Sequence, residues 1–229
     1  MKVMILAAGV GERMRPLTNH TPKPLLKVAG IPLIEHHICR LAQAGFTELI
    51  INVSHLGQQI IDYCGDGSRW GVSIVYSPEQ EPLETAGGIV NAFPLLGEEP
   101  FLVVNGDIWI DYPFAELAEY QLRENELAHL VMVGNPVQHP RGDFWLEADG
   151  WVRFLGAGVT GFTYAGVAIY SRGFFADMQP GKMPLRPLLD AAIERGCLGG
   201  EYHEGWWEDV GTPQRLQALD VAARSTGQE

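Results

Sequence analysis

The chain has 229 residues, of which 46% are hydrophobic and 19% charged, with a formal net charge of -12. That balance suits one globular domain with a sizeable core and argues against disorder. It also argues against a nucleic-acid surface, which needs basic patches, and no apolar run is long enough to span a bilayer. The opening lysine leads straight into a strand-like segment and not into a signal peptide, so the expected location is the cytoplasm, with no membrane partner.

Residues 2–7, KVMILA, form an apolar run expected of a strand buried on both faces of a parallel sheet. Between Ile34 and Gly45 the apolar residues Ile34, Ile38, Leu41 and Ala42 fall at i, i+4, i+7 and i+8, one face of a helix that stops at glycine. ELIINV at 48–53 predicts a second strand, and a strand-helix-strand unit implies a parallel pair with ligands at the carboxyl ends of the strands. VSIVY at 72–76, a helix from Thr85 to about Leu96 and FLVVN at 101–105 continue the α/β pattern. From Leu127 onward the strands crowd together as LAHLVMV, DFWLEA, WVRFL and FTYAGVAIY, with Asp149-Gly150 as a hairpin turn, which predicts an antiparallel or mixed elaboration. A helix from Pro184 to Arg195 closes at Gly196, and a last one takes Thr212 as N-cap and Pro213 as its first residue. The final five or so residues read as a frayed tail.

Gly9-Val10-Gly11-Glu12-Arg13-Met14 carries the first two glycines of a dinucleotide fingerprint but has Met14 in place of the third. Pro16, Pro22 and Pro24 also prevent a helix from starting directly after the turn, and no GxxxxGK[ST] loop occurs there. What remains is a loop whose backbone N–H groups can face an anion, followed by Arg13, Arg15, Lys23 and Lys27. Pro24 biases Lys23 toward an extended conformation that aims its ammonium. A lysine in a proline-rich loop is ordinarily a solvated one; ten residues after a Gly-Arg turn it reads as a phosphate ligand.

Asp107 follows the strand FLVV in Asn105-Gly106-Asp107, where α/β ligands bind, although a lone aspartate there is commonly a turn former. Asp209 ends a short aromatic strand in WWEDVGTP. The two aspartates, with phosphate oxygens and water, would suit Mg²⁺. Cys39, Cys64 and Cys197 form no CxxC pair and read as reduced, partly buried thiols. His36 and His37 point to different sides of their helix and read as surface or packing residues; no nucleophile motif is visible. A nicotinamide oxidoreductase, suggested by Gly9-x-Gly11, and a catalytically silent sugar-nucleotide sensor are the competing readings.

LAAGVGERMRPLTNHTPKPLLKVAGIPLIEH at 6–36, NGD at 105–107 and WEDVGTP at 207–213 together resemble the motifs of the sugar-1-phosphate nucleotidylyltransferases, in order and in separation, over nearly the whole chain. Within that family the chain is most similar to the N-acetylmuramate-1-phosphate uridylyltransferases of bacterial cell-wall recycling. The resemblance implies a Rossmann-like three-layer α/β/α fold with a mixed, mostly parallel sheet and a smaller antiparallel elaboration. It implies a single domain over 1–229, with 1–110 mainly nucleotide-binding and 111–229 mainly sugar-binding. The implied reaction is in-line attack of a sugar-1-phosphate on the α-phosphate of UTP, with N-acetylmuramic acid 1-phosphate as first acceptor. The alternative is uridylyl or thymidylyl transfer to another hexose-1-phosphate such as glucose-1-phosphate. Small molecules would be the only substrates, and the assembly a monomer or small homo-oligomer.

By the same resemblance Arg13, Lys23, Asp107 and Asp209 would be catalytic. Ala8, Gly9, Gly11, Glu12, Arg13 and Lys23 would hold the nucleotide, and Gln80 would read the pyrimidine, helped by Thr85, Ala86 and Gly87. Asp107 and Asp209 would hold Mg²⁺. Asn105, Gly142, Asp143, Tyr164, Ala165, Gly166 and Trp206 would face the sugar. Two departures stand out: Glu84 replaces the first glycine of the family's Leu-Gly-Thr-Ala-Gly, and FLGAGVTGFTY stands where a Glu-Lys-Pro commonly follows, leaving backbone around Gly156 to Gly161 as a substitute. Arg141 and Arg153, near the sugar-side segment, are candidates to meet a muramyl carboxylate.

Overall fold

The computed structural model describes residues 1–225. The first half runs β1 (Val3–Leu6), three short 3-10 turns (Glu12–Met14, Leu17–Asn19, Lys23–Leu25), β2 (Lys27–Val28), β3 (Ile31–Pro32), α1 (Leu33–Gln43), β4 (Glu48–Val53) and α2 (Gly57–Cys64). It continues through β5 (Ser73–Pro78), α3 (Glu84–Asn91), α4 (Phe93–Leu96), β6 (Phe101–Asn105) and β7 (Ile108–Ile110). The second half holds α5 (Ala115–Glu119), β8 (Ala128–Val133), β9 (Trp145–Leu146), β10 (Val152–Arg153), β11 (Thr163–Tyr170), α6 (Arg186–Glu194), β12 (Leu198–His203), β13 (Trp207–Asp209) and α7 (Pro213–Ser225).

Seven strands make one sheet in the order β12-β8-β11-β6-β1-β4-β5. The pairs β6-β1, β1-β4 and β4-β5 are parallel, β11 runs antiparallel to both its neighbours, and β12 returns parallel to β8. Most of the elaboration expected after Leu127 is therefore absorbed into the main sheet, and only the ribbon β9-β10 stands apart from it. DFWLEA and WVRFL shrink to two residues each, joined by the expected turn with Gly150 at φ +81°.

Val3 and Ile5 pack into the core under α1, with Ile34, Ile38 and Leu41 of the expected helix face, while Met4 packs into the core on the other face with Ala86, Ile89 and Leu189. This burial of β1 on both faces is what its unbroken apolar run requires. A third cluster joins Met14, Leu26, Val28 and Leu33 to Trp109, Val210, Leu219 and Ala223. That cluster pins the glycine-proline loop to the two segments that carry Asp107 and Asp209.

Two local expectations change. The helix from Thr85 to about Leu96 is two helices, α3 and α4, because Pro94 has no N–H for a continuous ladder and is placed instead in the first turn of α4. β12, LGGEYH, was not among the expected strands. Its glycines serve packing: a Cβ at Gly199 would lie 1.6 Å from Glu126 Oε1. α7 extends to Ser225, and the rest of the expected tail, 226–229, lies outside the described residues. Among the described residues no helix is long and apolar enough to cross a membrane.

Candidate active site

The sheet order reverses at β1: the chain steps from β1 to β4 and β5 on one side, then returns to β6 on the other. Ligands bind outside the carboxyl ends of strands at such a point. A cavity of about 320 Å³ lies there, lined by Ala7, Ala8 and Gly9 after β1, Asn52 of β4, Glu79 after β5, Asn105 and Asp107, with Lys23, Pro24, Glu84 and Thr85 around them.

The loop after β1 folds back on itself. Thr18 Oγ1 donates to the Gly11 carbonyl at 2.8 Å, and Gly11 has φ +68° with its absent Cβ only 2.9 Å from Thr18 Cγ2. Glu12 and Arg13 form an exposed 3-10 turn beyond the cavity wall. Lys23 is not extended as expected; Pro22 is (ψ 143°), and Lys23 opens a 3-10 turn closed by Leu25 N to Pro22 O and Leu26 N to Lys23 O. Pro24 fits that first turn because its missing N–H has no partner to lose there. The buried Lys23 ammonium reaches Asp107 Oδ2 at 2.6 Å across 84 residues of sequence.

A two-stranded ribbon lays the segments that carry Asp107 and Asp209 side by side, with Asp107 and not Asp209 lining the cavity. β7 pairs antiparallel with β13 so that Asp209 faces Ile108, and Val210 N donates to the Asp107 carbonyl at 3.1 Å. Asp209 Oδ2 accepts from Arg215 Nη1 at 2.7 Å. Gly106 allows the approach of β6 to β1, since a Cβ there would sit 2.6 Å from the Leu6 carbonyl oxygen. His37 is buried behind the ribbon and packs as expected; its Nε2 lies 3.0 Å from the Ile108 carbonyl. Burial and the neighbouring Arg40 push its pKa down to about 4, so the ring is neutral at pH 7 and donates that bond. Among the described residues no three His, Cys, Asp or Glu converge on a common point. The two carboxylates are hard oxygen donors, each balanced here by a cation, and a pair of that kind suits an ion that completes its shell with phosphate oxygens and water.

Gln80, expected to read the pyrimidine, is exposed and does not line the cavity; its neighbour Glu79 is buried and does. Glu79 Oε1 accepts from Asn52 Nδ2 at 2.7 Å and Oε2 from Leu83 N at 2.9 Å, while Asn52 Oδ1 accepts from Ala7 N at 2.7 Å. This relay joins the start of the glycine loop to the wall that leads into α3. Neither residue was singled out from sequence, though a lone asparagine inside the apolar ELIINV was a usable signal. Thr85 lines the cavity, whereas Ala86 and Gly87 are buried with their N–H groups on the Met183 carbonyl. Glu84 has φ +61°, the conformation glycine adopts freely and other residues adopt at about 1–2 kcal/mol.

The expected sugar-side residues fall into three groups. Gly166, at φ +83°, lies directly under Asn105, with a Cβ position 2.6 Å from Asn105 Nδ2, and the adjacent Ala165 carbonyl accepts from Trp207 Nε1 at 2.8 Å. Asp143 Oδ2 accepts from Tyr164 N at 2.9 Å beside Gly142, which has φ +73°. Trp206 instead packs on Trp109, 5.5 Å between ring centroids, as part of the third cluster. Arg153 is held by Glu147 at 3.2 Å, while among the described residues the exposed Arg141 guanidinium has no ion pair.

A switch-point cavity floored by a lysine-aspartate pair, beside a ribbon bearing a second aspartate, is the arrangement of a phosphoryl-transfer site. The chain belongs to the nucleotidyl transferase family, whose model matches residues 2–144. It is 52% identical over 227 residues to N-acetylmuramate alpha-1-phosphate uridylyltransferase of Neisseria meningitidis, covering 97% of this chain and 98% of that one. It is 38% identical to the Caulobacter vibrioides protein of the same name, with 95% of each chain covered. In fold it matches a Bacillus anthracis protein described as a glucose-1-phosphate thymidylyltransferase and solved with sucrose, at a TM-score of 0.86 and 24% identity over 98% of this chain and 95% of that one. The chain is thus an enzyme of nucleotidyl transfer, and the nicotinamide reading falls; Met14, in place of the third glycine, is buried in the third cluster.

Proposed function

We propose that the chain transfers the uridylyl group of UTP to N-acetylmuramic acid 1-phosphate, releasing pyrophosphate and forming the UDP-sugar. The observation that carries the site is the Lys23–Asp107 pair at the switch point, beside the ribbon that brings Asp209 alongside. The names and full-length match of the two relatives support the choice of nucleotide and acceptor.

In this reading Ala8, Gly9 and Gly11 present backbone N–H groups to the triphosphate, and Arg13 approaches its outer phosphates from the exposed turn. Lys23 neutralises charge that builds on the α-phosphoryl oxygens during in-line displacement. Thr85 and the carboxylate of Glu79 take the pyrimidine side, Glu79 supplying an acceptor for the N–H of uracil in place of the exposed Gln80. Asn105 and Gly166, with Asp143 and Tyr164 further out, orient the sugar. The acceptor phosphate is already ionised, so no general base is required, and the neutral His37 is committed to the Ile108 carbonyl. Asp107 and Asp209 would hold Mg²⁺, whose charge, when bound, offsets that of the phosphate oxygens. Because UTP is a cytoplasmic nucleotide, the reaction belongs in the cytoplasm.

Mass spectrometry of the reaction with UTP, N-acetylmuramic acid 1-phosphate and Mg²⁺ tests this. Equimolar UDP-sugar and pyrophosphate are expected. Free UMP, or no product while a thymidylyl or guanylyl sugar forms readily, would refute it.

A further inference from the structure

Among the described residues, Lys182 is the only one lining the cavity that comes from beyond Asp107. Residues 181–183 carry it there as a strap docked on the start of α3. Met183 N donates to Leu83 O at 2.9 Å, and Met183 O accepts from Ala86 N at 3.1 Å and Gly87 N at 3.2 Å. Those N–H groups at the helix start are therefore capped by protein and not held for a substrate. Gly87 makes the docking geometry feasible, since a Cβ there would stand 2.2 Å from the Gly181 carbonyl oxygen.

Held in this way, Lys182 Nζ stands 3.6 Å from Glu84 Oε1, with side-chain exposures of 63% and 42%. An exposed pair of that length adds almost nothing to stability. Glu84 nevertheless occupies a positive φ that glycine would take without strain, so folding does not account for it. The cavity's other lysine, Lys23, is buried and tightly matched to Asp107 at 2.6 Å; Lys182 is the cation loose enough to change partner. Four residues further on, Arg186 Nη1 lies 4.0 Å from Asp143 Oδ1, so the strap connects the nucleotide wall to the sugar side.

We propose that Lys182 binds an anionic oxygen of a substrate, and that Glu84 is its resident counter-ion, displaced when that substrate arrives. The inference rests on the nucleotidyl-transfer reading, because it requires an anionic substrate in this cavity. The oxygen belongs either to a nucleotide phosphate or to the phosphate or carboxylate of the acceptor, and the two Michaelis constants distinguish these sources.

Steady-state kinetics with UTP and acceptor varied separately, on wild type, Lys182→Ala, Lys182→Arg and Glu84→Gln of matched melting temperature, provide the test. Lys182→Ala should raise KM for one of the two substrates about tenfold, as expected for losing a partly screened charge-assisted hydrogen bond. Lys182→Arg should keep most of the affinity. Glu84→Gln should not raise that KM, because it removes a competitor and not a ligand. Equal increases for Lys182→Ala and Glu84→Gln would mark a purely structural clasp and overturn the proposal, as would an unchanged KM in Lys182→Ala. A wild-type enzyme inactive with UTP but active with another nucleotide would refute the uridylyl reading and leave the same comparison to be made on that nucleotide.

Discussion

The Lys23 ammonium and the Asp107 carboxylate pair at 2.6 Å where both line the switch-point cavity. The prolines and glycines around Lys23, and the strand end before Asp107, are local signals, and local signals are what a sequence displays openly. The 2.6 Å contact between them is not, because it depends on two segments 84 residues apart being laid side by side by the sheet. Asp107 is partly exposed in that pair, so loss of the lysine leaves no buried, unpaired charge and should barely change stability. Lys23→Ala should therefore keep its melting temperature while losing roughly 2.7–4 kcal/mol of transition-state stabilisation, about 10²–10³ in kcat. A coupled pyrophosphate assay beside a thermal melt checks both; near-wild-type turnover would remove Lys23 from the site. Glu79 and Asn52 went unnoticed because their roles are relational. A carboxylate just past β5 has meaning only once the Asn52 amide and the Leu83 N–H are seen to converge on it. Glu79→Ala should leave both donors without that acceptor, at about 1–3 kcal/mol for the buried Asn52 amide and less for the half-buried Leu83 N–H, and guanidinium denaturation should show the loss.

At the scale of elements, strands with unbroken apolar runs were the most legible: FLVVN and ELIINV match β6 and β4 end to end. The α1 face and the α7 cap were legible too, Thr212 Oγ1 accepting from Arg215 N at 3.3 Å. The short aromatic strand expected to end at Asp209 is β13, whereas β7 and β12 were harder, since three residues have no period to detect and Gly199 and Gly200 depress strand propensity in β12. The separation of α3 from α4 is likewise set by one proline within an otherwise continuous pattern. Gly106 links element to function, because its missing Cβ sets how closely the end of β6 approaches β1 and hence where Asp107 stands. Gly106→Ala should cost about 1–3 kcal/mol, the range for overpacking a tight contact. It should also depress kcat/KM although residue 106 carries no chemistry. Unchanged stability and turnover would show that β6 can shift without consequence.

At the scale of the whole molecule, the second half is tied together by a largely buried polar network on β8 and β12, none of whose members lines the cavity. His129 Nδ1 lies 2.9 Å from Glu126 Oε1, and His129 Nε2 lies 3.5 Å from Glu201 Oε2; Tyr112, Tyr120 and Arg123 bind the same two carboxylates. Burial alone would lower the His129 pKa, but the hydrogen bond to Glu126 and the nearby Glu201 carboxylate outweigh it and raise the pKa above its ordinary value. A histidine raised on folding contributes stability that is complete below its unfolded pKa, about 6.5, and is lost as pH rises through the folded value. Burial likewise works against ionised Glu126, but bonds from His129, Arg123 and Tyr120 hold its pKa down to about 2, so its contribution is lost as pH falls from about 4.5 toward that value. Denaturation free energies measured from pH 6 to 9 should decline on the alkaline side, and His129→Gln should flatten that decline. An unaltered slope in the variant would place the pH dependence elsewhere. Such a network could not be read from sequence, because His129, Glu126 and Glu201 share a neighbourhood only after β12 has paired with β8.

The enzyme's specificity lies in which sugar phosphate attacks which nucleotide in the switch-point cavity. The most direct measurement is kcat/KM for pyrophosphate release across a panel of nucleoside triphosphates and sugar-1-phosphates, run on wild type and Asp209→Asn. The prediction is a clear maximum for UTP with N-acetylmuramic acid 1-phosphate, reduced by about 10² or more in the variant if Asp209 holds the cation that offsets charge on the transferred phosphoryl group. A maximum on glucose-1-phosphate with dTTP, or full activity in Asp209→Asn, would contradict it.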